Sequence, residues 1–253
     1  MKNFRYFLIF LLSFPLFLYL SFPLERVVER ELCKREIGYT EVEVEKFPPK
    51  LRVKGLELPQ LPFSIEEAVV LPDLESILSG DRRLNVSLKV CGGEGEVKLN
   101  YPLSELTFHL KSLRLSRCVK ELPFKVRGLF SAAGEVSLRV QKALLEKGRG
   151  SFSVERLELG ELSFGLFSLP GLNLGKLKGT FVVKRENVVS LEAEGKGKDA
   201  DVKVRGYINV NLRYPGKSYV NLRVKVKPKV ALLKGRTFTF RVKGFAENVT
   251  VVR

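Results

Sequence analysis

DADVKVRGYINVNLRYPGKSYVNLRVKVKP, residues 199–228, decides the fold. Val202, Val204, Ile208, Val210, Leu212 and Tyr214 fall on even positions, with Gly206 keeping the register, while Asp201, Lys203, Arg205, Asn209, Asn211 and Arg213 fall on odd ones. Period two is the signature of a strand with one dry face. Pro215-Gly216-Lys217-Ser218 then reads as a four-residue turn, in which Pro pre-sets the backbone and Gly tolerates a positive φ. The alternation resumes with Val220, Leu222, Val224 and Val226, so the stretch predicts one long hairpin. Its outer face carries Lys203, Arg205, Arg213, Arg223, Lys225 and Lys227.

The same pattern spreads outward in both directions. Downstream, Phe238, Phe240 and Val242 precede Val249 and Val251; upstream, Leu177, Phe181 and Val183 face Val189, Leu191 and Ala193 across a Lys184-Arg185-Glu186-Asn187 turn. Runs at residues 124–130, 136–140, 152–159 and 162–166 continue it, as do Leu84 to Val90 and Val97 to Tyr101 around a Gly92-Gly93 turn. Between Leu106–Leu110 and Leu113–Leu115 the apolar parity flips at Lys111 and Ser112, which predicts a bulge or bend. Residues 72–80, with Pro at the start, acids in the first turn and Gly as a stop, predict a short helix. A mainly β chain of a dozen to fifteen strands follows, one long curved antiparallel meander sheet. At about 4.8 Å per strand such a sheet is some 60–70 Å across, and its bare apolar face must curl into a folded gutter, a sandwich or a barrel.

The beginning of the chain differs. Residues 6–24 carry no charge, follow Lys2 and Arg5, and as a helix rise about 28 Å, the thickness of a bilayer's hydrocarbon. They predict an uncleaved membrane anchor, since Leu20-Ser21-Phe22-Pro23 offers no small-x-small cleavage pattern. From Pro23 to Gly38 the period becomes helical, with Leu24, Val27, Val28, Glu31, Leu32 and Arg35 on one stripe. The expected organisation is therefore an anchor over 1–24, a juxtamembrane amphipathic helix over 25–38 and an all-β domain over 39–253. Charge counting leaves the topology open, because basic residues flank the apolar run on both sides.

Chemistry is sparse. The net charge of +16 raises nucleic acid as a partner, but the cations sit on alternate strand positions and do not gather in an arm or recognition helix, so no nucleic-acid partner is expected. Cys33, Cys91 and Cys118 are too few for a disulfide scaffold and lack zinc-site spacing. Cys91 and Cys118 would sit in an oxidising compartment beyond the anchor, where the sequence leaves their pairing open. His109, the single histidine, lies on the polar parity of a strand. Gly216-Lys217-Ser218 lacks the first glycine of a phosphate-binding loop and is followed by strand, so it reads as a turn. No constellation for catalysis, metal or cofactor emerges, and an enzyme is not expected.

Four stretches, Phe164 to Leu172, Gly195 to Asp201, Gly206-Tyr207-Ile208 and Tyr214 to Ser218, resemble the bacterial type II secretion system protein N family, with weaker likeness reaching back through Pro72-Asp73-Leu74 and Gly92-Gly93 to the anchor. The resemblance implies a single-pass inner-membrane protein with a cytoplasmic N-terminus and a periplasmic β domain, a non-enzymatic accessory part of that export machinery, whose partners are the inner membrane and other secretion components. More loosely, an anchor, a short helix and a long sheet are similar to AsmA-type proteins, whose β grooves are associated with lipid transport. On that alternative, the apolar face bearing Val202, Val204, Ile208, Val210, Leu212, Val220, Leu222, Val224 and Val226 would be a groove for lipid acyl chains.

Overall fold

The computed structural model describes residues 21–58, 63–73, 83–100, 104–118, 125–164, 167–169, 171–229 and 235–252. The expected anchor lies, but for its last four residues, outside the described residues, as do positions 74–80 of the expected second helix; Pro72 ends a strand instead. Among the described residues no helix is long and apolar enough to cross a membrane.

Fourteen antiparallel strands form one open sheet whose spatial order follows the chain. They are β1 (Glu41–Lys46), β2 (Pro49–Leu56), β3 (Ile65–Pro72), β4 (Arg83–Val90), β5 (Gly93–Asn100), β6 (Glu105–Arg114), β7 (Val126–Arg139) and β8 (Leu144–Leu159), then, after a separate small hairpin of β9 (Leu162–Phe164) and β10 (Phe167–Leu169), β11 (Leu172–Arg185), β12 (Val188–Lys196), β13 (Ala200–Asn209), β14 (Tyr219–Pro228), β15 (Phe238–Phe245) and β16 (Asn248–Val252). β1 and β16 are the two edges, and the sheet is neither a closed barrel nor a sandwich. Nearest-neighbour connection is what short turns between antiparallel strands dictate.

The helix expected after Pro23 is present as α1 (Leu24–Lys34). It ends where Glu36 turns left-handed at φ 57°. Its Glu25 carboxylate accepts the Val44 N–H at 3.3 Å, so the helix lies along β1 and takes up a donor of that edge. The parity flip at Lys111 and Ser112 is a bulge: the β6–β7 register shifts between Leu110 and Leu113, Ser112 has φ 57°, and its N–H donates to Ser131 Oγ at 3.0 Å.

A helical turn, α2 (Leu115–Cys118), follows that bulge and is joined to the β4–β5 turn by a disulfide between Cys91 and Cys118, with their Cα atoms 5.4 Å apart. Val90, Cys91 and Leu113 are buried beside the bridge under Phe63, Ile65 and Phe130. Phe130 also packs on a second cluster, Val154, Leu157, Leu174, Ala200 and Val202, drawn from β8, β11 and β13. There the sheet curls: the Asp199 N–H donates to the Asn173 carbonyl at 3.2 Å and the Asn173 N–H to the Asp199 carboxylate at 2.7 Å, tying the β12–β13 turn to the start of β11.

The opening hairpin is shorter than its alternation predicts. β13 stops at Asn209, which pairs with Tyr219, and residues 210–218 form the loop, with a 3-10 turn over Pro215–Lys217. The cause is Asn211, whose side-chain oxygen accepts the N–H groups of Arg213 and Tyr214 at 3.1 and 2.9 Å and so offers the backbone a turn in place of a ladder. Ser218 Oγ accepts the Asn211 N–H at 3.0 Å, and the Val210 N–H goes to the Asn187 carbonyl at 2.7 Å.

Candidate functional site: an uninterrupted apolar face

Residues directly opposite in a ladder share a face, so the pairings can be followed across the sheet. One row runs Val42, Val53, Ala68, Leu88, Gly95, Leu110, Ala132, Phe152, Gly179, Ala193, Val204, Val224 and Phe240, one residue from each strand of the large sheet except β16. The next runs Val44, Leu51, Val70, Val86, Val97, Phe108, Gly134, Gly150, Phe181, Leu191, Gly206, Leu222 and Val242. Neither row contains a polar side chain. Twelve inter-strand steps make each about 58 Å long.

The face is not filled. No large side chain among the described residues is fully buried, and most positions of the two rows are only partly buried. Buried residues cluster near the disulfide and around β8, β11 and β13, while Val53, Ala68, Ala132 and Ala193 are buried singly along the first row.

Glycine and phenylalanine alternate across the middle of the sheet, and the rings lie down. A Cβ on Gly150 would stand 2.4 Å from the Phe181 ring and one on Gly134 2.8 Å from it, so Phe181 covers both glycines and meets Phe108, ring centroids 6.1 Å apart and 13° from parallel. A Cβ on Gly179 would likewise stand 2.3 Å from the Phe152 ring. Rings laid flat on bare backbone keep the floor greasy and low, where upright rings over alanine would fill the space above it.

Of the residues expected on this face, Val202, Val204 and Ile208 of β13 and Val220, Leu222, Val224 and Val226 of β14 share it, paired as Val202–Val226, Val204–Val224 and Ile208–Val220. Two do not belong. Val210 has left the strand, and Leu212, 40% exposed, sits in the loop with its backbone turned by Asn211. Missing from the expectation were Phe108, Phe152 and Phe181 with Gly134, Gly150 and Gly179; a glycine on the apolar parity of successive strands was their signal in the sequence.

The opposite face is polar. His109 lies exposed on it between Glu96 and Ala133. Among the described residues no group of three His, Cys, Asp or Glu is placed to hold a metal ion. Over β1–β4 the polar face is an ion-pair lattice: Lys54 to Glu41 at 2.7 Å, Arg52 to Glu43 and Glu67 at 3.1 Å each, Lys89 to Glu67 at 2.7 Å. Arg52 holds the Glu43 carboxyl below the usual carboxylate range, Lys89 does the same for Glu67, and Glu41 raises the Lys54 ammonium. What the site can do is bind apolar matter along one face while staying wetted on the other. No family model, curated protein or solved structure matches the chain.

Proposed function

We propose that the protein is a non-enzymatic envelope protein, anchored in the inner membrane through residues 6–24 with its sheet in the periplasm, and that the apolar face holds lipid acyl chains. The observation that carries this is the pair of unbroken, only partly buried apolar rows, about 58 Å long, floored by rings lying on glycine. An apolar face of that extent is unstable bare in water and far exceeds the patches tolerated on soluble monomers. Acyl chains fit it better than a protein core does, because an extended chain is thin, featureless and satisfied by contact with flat apolar surface alone. α1, which follows the proposed anchor in the chain, fastens to β1, the strand at which the rows begin.

Mass spectrometry of lipids retained by the detergent-purified chain tests the reading, with Leu222→Gln, outside both buried clusters, as the variant. A polar, uncharged side chain at Leu222 is expected to leave the melting curve nearly unchanged and to deplete retained lipid. Loss of stability with no lipid found on the parent would instead mean a closed core and would overturn the groove.

The second reading, an accessory role in type II secretion, is favoured by the sequence likeness concentrated in residues 160–228. It is compatible with a lipid-holding face. Cross-linking in cells followed by identification of partners tests it, and recovery of no secretion component would count against it.

A further inference from the structure

We propose that the tip at the strand ends of β13–β15 docks on the surface of an anionic lipid bilayer. The 210–218 loop and the β15–β16 turn are one unit: the Ala246 N–H donates to the Ser218 carbonyl at 2.8 Å and the Glu247 N–H to the Gly216 carbonyl at 3.1 Å. Tyr219 and Phe245 meet edge to face, 5.9 Å between centroids. From this unit apolar side chains stand out into solvent: Leu212 is 40% exposed, Phe245 52% and Tyr214 58%. Cations surround them. Arg213, Lys217 and Lys243 are exposed, and Lys217 Nζ lies 5.2 Å over the Tyr214 ring. Glu186 and Glu247 are the carboxylates of the adjoining turns, and both are exposed.

The polar face leading to this tip repeats the sign. Arg205, Arg223 and Arg241 stand directly opposite one another on three successive strands, and Lys203 stands opposite Lys225. Like charges placed so repel. Carboxylates relieve little of it: Glu194 holds Lys203 at 2.7 Å and Glu192 reaches Arg205 only at 3.9 Å. Arg223, Lys225, Arg241 and Lys243 have no carboxylate partner among the described residues.

A flat cationic field with exposed tyrosine, phenylalanine and leucine at its end matches a bilayer interface, where aromatic and aliphatic side chains enter the headgroup layer and basic ones meet lipid phosphates. Mobile lipids can gather under fixed cations of any spacing, whereas a folded acidic protein must match them one by one. Exposed leucine has nothing to gain from a polyanion that offers only charge.

The chain contains no tryptophan, so a single one reports its own surroundings. The full chain is reconstituted in phosphatidylcholine vesicles. Flotation, scored first, depends on residues 6–24 and separates failure of the anchor reading from failure at the tip. Brominated lipid is then supplied either in the host vesicles or in a second population, in phosphatidylglycerol or in phosphatidylcholine. Tyr214→Trp is expected to be quenched by the phosphatidylglycerol form, and Ser87→Trp on the polar face of β4 to stay bright. Arg213→Glu, Lys217→Glu and Lys243→Glu combined should weaken the quenching interaction about a hundredfold, and raising salt should weaken it without any further variant. No quenching at position 214, equal quenching at 87, or indifference to lipid charge would overturn the proposal. So would an oligonucleotide that binds more tightly than the vesicles and is lost through the same three changes, which would make the surface a nucleic-acid site.

Discussion

The first and last strands present the same apolar face inward and opposite electrostatics outward. From β1 to β6 one outer row reads Glu41, Lys54, Glu67, Lys89, Glu94, Lys111, with the sign changing at every strand. From β13 to β15 the corresponding rows read Arg205, Arg223, Arg241 and Lys203, Lys225. Both ends build the same ladders. The fold therefore depends on the inner alternation and is indifferent to outer charge, since exposed pairs contribute little and exposed repulsions cost little. An outer face free of folding duty is available to function, and the net charge of +16 is spent unevenly across it.

The largest effect expected on either region is a charge on the shared inner face. Val202, 7% exposed within the β8–β11–β13 cluster, should not tolerate Asp, which would bury an unpaired carboxylate at a cost of about 3 kcal/mol or more. Lys225→Glu on the outer face of the neighbouring strand should leave the melting temperature nearly unchanged. Equal damage from the two would break the assignment of faces.

Next in size is the disulfide, which belongs to the first region alone. Closing a loop over 27 positions between Cys91 and Cys118 is worth about 3 kcal/mol in the chain-entropy account. The double change Cys91→Ser and Cys118→Ser should lower the urea midpoint accordingly. Hydrogen exchange should then rise first around β4–β6 and leave β13–β15 protected; uniform loss of protection would mean that the two ends unfold as one.

These contrasts also mark what the sequence reveals. Alternation at Val202 to Ile208 and at Val220 to Val226 is enough to place a hairpin, and the flip at Ser112 is enough to place a bulge, because strand parity is a local, strictly periodic signal. The end of β13 escapes it. Val210 and Leu212 keep the alternation, but Asn211 and Ser218 satisfy the backbone in a loop, and side-chain capping outweighs two more rungs of ladder. The Cys91–Cys118 bridge stays open in the sequence, since it needs the bulge and α2 to bring position 118 back over the β4–β5 turn. The openness of the apolar face is a property of the whole sheet, which no single run encodes.

A smaller and opposite pair of effects sharpens the comparison of outer faces. Lys54→Glu would set a carboxylate beside Glu41, Glu43 and Glu67 and should lower the melting temperature. Arg223→Glu would set one between Arg205 and Arg241 and should raise it, by about 1–3 °C. Differential scanning fluorimetry at low salt reads both, and a common sign would show that the ladder charges do not sense their cross-strand neighbours.

The smallest effect is that of acid, and its direction follows from the shifts. Glu43 and Glu67 titrate below the usual carboxylate range because Arg52 and Lys89 bond to them, and on β12 Glu194 does so because of Lys203. A carboxyl whose folded value is depressed adds stability that is complete above its unfolded value and is lost as pH falls through the folded one. Stability should thus be level at neutral pH and fall only on entering and passing below the ordinary carboxylate range. The two regions should differ in how far. β1–β3 lose Glu43 and Glu67 from a lattice in which Arg52 and Lys54 each serve two acids, and the loosened cations then repel one another. β13–β15 already carry unrelieved cations, and the pair weakened there is that of Lys203 with Glu194. Hydrogen exchange followed down the acid limb should therefore show β1–β3 opening before β13–β15, and added salt, which screens repulsion, should slow the first more than the second. The reverse order would mean that the cationic end, not the paired one, is limited by its charges, and that its arginine ladder is held against repulsion by something other than the strands beneath it.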